Sequence, residues 1–187
     1  SVLNASGDTG STCLNGSPNT VAVPASSPSA TAVGGTTLTT GPAHLHDSEI
    51  WWNGTAATPP TGQGGFGLSR FFARPGYQNA FTTAANRSVP DVVVNSDPAT
   101  GLVLCQASRG GCPTGLLYGG TSVGAPIWAA FVAILNQARG ENLGALNPWL
   151  YAIAESGGFH DAAELSSDFS HVGLGSPNLN ELYRLLT

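Results

Sequence analysis

The sequence predicts an α/β domain, and three observations carry that prediction. Val92-Val93-Val94 is a continuous β-branched run of the kind found in strands buried on both faces of a parallel sheet. Gly119-Gly120-Thr121-Ser122 is a glycine-led turn that opens into the apolar stretch from Ile127 to Leu135, which has the length of a core helix. The 187 residues include 25 Gly and 13 Pro, which break the chain into many short strands and helices. That length suffices for one domain with a real core.

Taken in order, Val2 to Ala5 reads as a strand entering the turn Ser6-Gly7-Asp8-Thr9-Gly10. Val21 to Pro24 reads as a short strand or edge. Ser29 to Val33 leads through Gly34-Gly35, read as a break, to a second short strand over Thr36 to Thr39. Thr40 to Gln63 reads as loop, anchored by Trp51-Trp52. Gly64-Gly65-Phe66-Gly67 is a close-approach loop. Phe71, Phe72, Tyr77 and Phe81 read as a segment packed on the core, with Pro75 limiting helix before Tyr77. Leu102 to Leu104 and Leu116 to Tyr118 form a strand pair around Cys105 and Cys112. Helices are expected over Val123 to Arg139, Pro148 to Glu155 and Asn178 to Leu186.

Charged residues are 9% of the chain, the six basic residues are all Arg, and the net charge is -5. No basic patch exists to neutralise a phosphate backbone, which argues against a nucleic-acid partner. A chain with few charges gains little repulsion when its carboxylates protonate, which suits work in acid. No apolar stretch reaches membrane-spanning length, and no membrane partner is expected. Ser1 to Gly10 lacks a basic start and a hydrophobic segment, and the chain opens in mid-strand, so it is expected to be an excised piece with a segment preceding it. Cys105 and Cys112 bracket a loop composition and are expected to pair in an oxidising compartment, leaving Cys13 as a free thiol or the partner of a cysteine elsewhere. Sequons start at Asn4, Asn15, Asn53 and Asn86, meaningful in a host that glycosylates secreted proteins.

Two motifs carry chemistry. Ser122 sits where a helix N-terminus gathers unpaired N–H groups, which fits either an ordinary cap or a nucleophile whose oxyanion forms beside donors. Asp8, between glycines, is either a turn former or a functional acid. Asp91, after Pro90, reads as a buried or capping carboxylate at a strand start. Glu49, near His44, His46 and Asp47, reads either as part of a solvated loop or as a local base or metal site. His160 and His171 read as loop residues. No Gly-x-Ser-x-Gly elbow is present for a conventional hydrolase.

Six motifs stand in a fixed order. They are the Ser-Gly-Asp turn at Asp8, Val23-Pro24-Ala25-Ser26-Ser27-Pro28 with Thr31 to Thr36, and Gly64-Gly65-Phe66-Gly67 with Arg74 to Gln78. They continue with Arg87 to Val92 and Asp97 to Gly101, Gly119-Gly120-Thr121-Ser122, and Gly173-Leu174-Gly175-Ser176-Pro177. Together they resemble the C-terminal half to two-thirds of the catalytic domain of the sedolisin family, the serine-carboxyl peptidases, over nearly the whole chain. The resemblance implies a single portion of that domain, residues 1–187, with a subtilisin-like α/β fold and a mostly parallel central sheet flanked by helices.

It also implies a secreted or extracytoplasmic enzyme that hydrolyses peptide bonds in acid. Ser122 would be its nucleophile, and Asp8 would serve the oxyanion hole. The family's Glu base and supporting Asp lie upstream of the Ser-Gly-Asp motif, so they are expected from a preceding segment. Without them, the second reading is an inactive peptide-binding or inhibitory homologue. The family also binds one calcium near its C-terminus. Asp161 and the carbonyl of Ala162 match its first ligands. The loop is then shortened, its final ligand falling on Phe169 with Asp168 one place off and Glu164 nearby, so calcium is expected only from a degenerate set.

Overall fold

The computed structural model of the chain describes residues 1–13, 16–56, 58, 62–112 and 116–187. The sequon at Asn15 lies outside the described residues. In chain order the elements are β1 (Leu3–Ala5), α1 (Val23–Ser26), β2 (Thr31–Thr40), β3 (His46–Trp51), β4 (Gly67–Ala73), β5 (Asn86–Val89), β6 (Val92–Asn95), β7 (Leu102–Val103) and β8 (Leu117–Tyr118). Then come α2 (Thr121–Arg139), α3 (Asn147–Ala152), β9 (Phe159–His160), α4 (Phe169–Val172), β10 (Ser176–Pro177) and α5 (Leu179–Leu186).

Strand β2 is the hub of the central sheet. Its first half runs parallel to β1, Leu3 opposite Thr31, and parallel to β6, Val33 opposite Val92. Its second half pairs antiparallel with β3, Thr36 opposite Trp51. The expected break at Gly34-Gly35 is therefore a continuous ten-residue strand. The glycines serve packing instead of turning. A Cβ on Gly34 would lie 2.8 Å from Pro90 Cγ, and one on Gly35 would lie 2.8 Å from Trp52 Cε3. The loop expected from Thr40 likewise contains β3, whose neighbour β2 is set by pairing at a distance. Val21 to Pro24 does not make an edge strand: α1 begins at Val23, with Pro24 in its first turn, where the missing N–H costs nothing.

Val92 and Val93 are both fully buried, and they enter different clusters, as the two faces of a strand must. Val92 and Val33 meet Trp128, Phe131, Val132 and Leu135 of α2, with Leu150, Phe159, Leu174 and Leu182 completing that core. Val93 meets Leu165 and Val172, with Trp51 and Ala162 against them. Tyr77 and Phe81 pack on the larger core, but Phe71 is 76% exposed on β4, which among the described residues pairs only with β5 and buries only Ser69. Helix α2 has 19 residues, longer than its apolar run, and by length and composition it is long enough to cross a membrane, which corrects the sequence expectation. Here one face of it covers the sheet. β7 and β8 pair antiparallel, and Cys105 is joined to Cys112 beyond them, as expected. Cys13 is a half-buried free thiol.

Below the larger core lies a polar node. Asp91 Oδ2 accepts the Ala32 N–H at 2.7 Å, and Oδ1 accepts Arg87 Nη1 at 2.8 Å and the Tyr151 hydroxyl at 2.9 Å. Arg87 Nη2 also bonds Oδ2 at 2.5 Å, and both side chains are 0% exposed. Burial pulls the Arg87 guanidinium down, but the adjacent Asp91 charge and its hydrogen bond outweigh that and raise it. Burial first, and then Asp91, push the Tyr77 hydroxyl up to about 12. A tyrosine in the unfolded chain ionises near ~10. Between those values the folded state holds the proton that the unfolded state loses, so Tyr77 should make stability fall as pH rises above about 10. Urea midpoints at pH 9 and 11 check this, and an unchanged midpoint would contradict it.

Candidate active site

The site is assembled where two chain ends of regular structure meet. β1 delivers Ser6-Gly7-Asp8 at its C-terminal end, and α2 begins at Thr121. The first residue before α2 is Gly120, at φ 101°, and it makes no side-chain cap. Ser122 is therefore not the cap that its position in the sequence allows. The orphan donor is met from far along the chain: Asp8 Oδ1 accepts the Thr121 N–H at 2.7 Å and the Thr121 hydroxyl at 2.8 Å. Thr121 in turn accepts the Gly7 N–H at 3.1 Å. A Cβ at Gly120 would stand 2.8 Å from Asp8 Oδ2, so only glycine supplies both this φ and the close approach. Gly120 N–H also donates to the Ser96 carbonyl at 2.5 Å, tying the turn to the end of β6.

Ser122 is the second residue of α2, exposed and one residue from the Asp8 clamp. Four residues on, Pro126 has no N–H to return to the Ser122 carbonyl, which loosens this first turn. Among the described residues, no carboxylate or imidazole hydrogen-bonds Ser122. The structure thus brings Asp8 and Ser122 to one turn through Thr121, which lies inside the same Gly-Gly-Thr-Ser motif but carries no local signal of that role.

The Asp8 turn is braced from behind by Gln63 to Phe66. Gly65 N–H donates to the Gly7 carbonyl at 2.7 Å, Ser6 Oγ donates to the Gly65 carbonyl at 2.8 Å, and Gln63 N–H donates to the Asp8 carbonyl at 3.1 Å. A Cβ at Gly65 would run into the Ser6 carbonyl, so the two segments touch backbone to backbone.

Glu49 departs from its expected place. It is 8% exposed on β3, and its carboxylate accepts the Thr36 hydroxyl and, at 2.5 Å, the Ser176 hydroxyl. His46 Nε2 lies 3.4 Å away, and the His46 ring stacks on His160 at 4.5 Å. Glu49 is thus committed to holding β10 against the sheet and is not delivered to Ser122.

The residues expected to hold calcium do not fit it. Asp161 Oδ1 accepts the Ala163 and Glu164 N–H groups at 2.8 and 3.0 Å. The Ala162 carbonyl accepts the Ser167 N–H at 2.8 Å. Asp168 caps α4, its Oδ1 accepting the Ser170 N–H at 2.8 Å and facing His171 Nδ1 at 3.0 Å. Burial alone would raise the Asp168 carboxyl, but hydrogen bonds from Ser170 and His171 prevail and hold it below its usual value. Calcium wants six or more converging oxygens. Among the described residues no three of His, Cys, Asp or Glu form such a group.

No family model matches the chain. Kumamolisin from Bacillus sp. strain MN-32 is 36% identical over 201 residues, taking in 94% of this chain and 34% of that protein. Tripeptidyl-peptidase sed4 from Aspergillus fumigatus is 34% identical over 190 residues, 83% of this chain and 28% of that protein. A solved structure of Pseudomonas sedolisin, a serine-carboxyl proteinase complexed with two molecules of pseudo-iodotyrostatin, matches with a TM-score of 0.78 at 28% identity, over 97% of this chain and 54% of that one. The chain spans about a third of the length of the curated relatives it matches.

Proposed function

We propose a function from one premise: the chain belongs to the sedolisin family of serine-carboxyl peptidases, as part of the catalytic domain with its α/β, subtilisin-like fold. The protein hydrolyses peptide bonds of peptides or proteins in acid. Ser122 is the nucleophile, Asp8 serves the oxyanion, and a Glu and Asp pair from a segment upstream of Ser1 activates Ser122. The compartment is extracytoplasmic, a reading supported by the Cys105–Cys112 bond.

The observation that carries the reading is the use of the two Asp8 oxygens. Oδ1 accepts two hydrogen bonds from Thr121. A proton on the carboxyl therefore belongs on Oδ2, where it has a donor's freedom toward the turn that bears Ser122. An O–H there stabilises an oxyanion as a backbone N–H does in other serine hydrolases. A carboxyl group donates only while protonated, which ties the chemistry to acid. A histidine base would be protonated under those conditions, so a carboxylate base suits the site better.

Asparagine at position 8 mimics the protonated acid, its carbonyl facing Thr121 and its amide donating where Oδ2–H would. In the full-length protein, Asp8→Ala should lower kcat about 10²–10³-fold. Asp8→Asn should lose less and should stay active toward higher pH than the parent. Equal losses in both variants, with an unchanged pH profile, would rule out this role for Asp8.

A further inference from the structure

We propose that the loop over residues 159–176 is held without calcium, and that His171 ties it to the segment bracing the Asp8 turn. The proposal goes beyond the peptidase reading and needs that reading only for its kinetic arm.

One oxygen of each carboxylate is taken by its own turn, and Phe169, in the place of the final ligand, packs on Phe81 and Tyr151 of the core. Two further bonds close the loop on itself: Leu165 N–H donates to the Asp161 carbonyl at 3.0 Å, and Asp161 N–H donates to Glu164 Oε2 at 2.9 Å. Each Asp serves its own turn, and the carbonyls point at chain N–H groups instead of at a common centre. The loop then seats Leu165 and Val172, 1% and 0% exposed, on Val93 of the sheet. It is anchored by apolar burial and turn bonds.

His171 extends the loop's hold toward the site. Its Nδ1 faces Asp168 at 3.0 Å, and its ring packs against Trp51 at 4.4 Å and Phe66 at 4.1 Å between centroids. Trp51 and Phe66 meet edge to face at 5.4 Å, so the imidazole fills the angle between them. Phe66 belongs to the segment whose backbone carries the Asp8 turn: its N–H donates to the Gly10 carbonyl, and the preceding Gly65 bonds Gly7. A single side chain thus joins the Asp168 cap, the end of β3 and the brace of the candidate site. His171 is a positioning residue in this scheme and touches no reacting atom.

The test uses the full-length protein. Thermal midpoints in millimolar calcium and in a chelator should coincide. A saturable rise with calcium that Asp161→Ala or Asp168→Ala abolishes would overturn the first half of the proposal. A rise that survives both substitutions together arises from another site and leaves this loop calcium-free. For the second half, His171→Ala, assayed well below its own melting range, should lower kcat about ten- to a hundredfold with KM little changed, the signature of a displaced catalytic turn. His171→Asn, which keeps a flat donor facing Asp168, should recover part of that loss. A His171→Ala enzyme with parental kcat would overturn the positioning role. If the parent shows no peptidase activity, the functional reading fails, and the calcium titration still decides the loop.

Discussion

Replacing Ser122 with alanine is expected to lower peptide hydrolysis by the full-length protein at about pH 3–5 by at least ~10³-fold, while leaving its stability within about 0.5 kcal/mol. Both halves follow from the geometry. Ser122 is exposed and, among the described residues, makes no side-chain hydrogen bond, so deleting its hydroxyl orphans no buried group. The clamp that shapes the turn runs through Thr121 and Asp8 and is untouched. Activity and folding therefore separate cleanly, as they would not at Thr121, which is fully buried. Initial rates on an unselective peptide mixture, with urea unfolding of the same samples, make the measurement. Undiminished hydrolysis would end the assignment of Ser122 as the nucleophile. Tight peptide binding without turnover by the parent would favour a binding homologue.

The second large effect concerns stability alone. Arg87→Met or Asp91→Asn is expected to cost about 3–5 kcal/mol, because each leaves the other member of a buried pair without its counter-charge. Arg87 is fully buried, and its remaining hydrogen-bond partners are carbonyls of Ser88, Ala30 and Ser27. Asp91 would keep Tyr151, Ala32 and, at 3.3 Å, Asn147, but no cation. The double variant should be less damaged than the worse single one, since it buries no unmatched charge. Urea midpoints of the three variants test this, and single losses below about 1 kcal/mol would show the pair to be inessential.

What could be read in the sequence was whatever depended on near neighbours. The β-branched run at Val92, the apolar helix after Ser122 and the closely spaced Cys105 and Cys112 each signal their structure within a few residues. Asp91 announced a buried carboxylate through its position after Pro90. Glu49 did not, because the partners that bury it lie on another strand and at Ser176, 127 residues away. Gly34-Gly35 misled for a related reason: glycine locally signals a turn, and only Pro90, Trp52 and Ser96 show that it makes room. At the candidate site, Asp8 and Ser122 were legible as a pair through an ordered set of motifs. The residue joining them, Thr121, was hidden because its role is to receive a partner 113 residues away.

That separation also bears on how the molecule acquires its site. A hydrogen bond closing so long a loop carries an entropic cost that the parallel registers of β1, β2 and β6 help to meet, and such non-local pairing is slow. Until that pairing is made, the first turn of α2 lacks the carboxyl that holds it, and Ser122 sits beside a helix end free to fray.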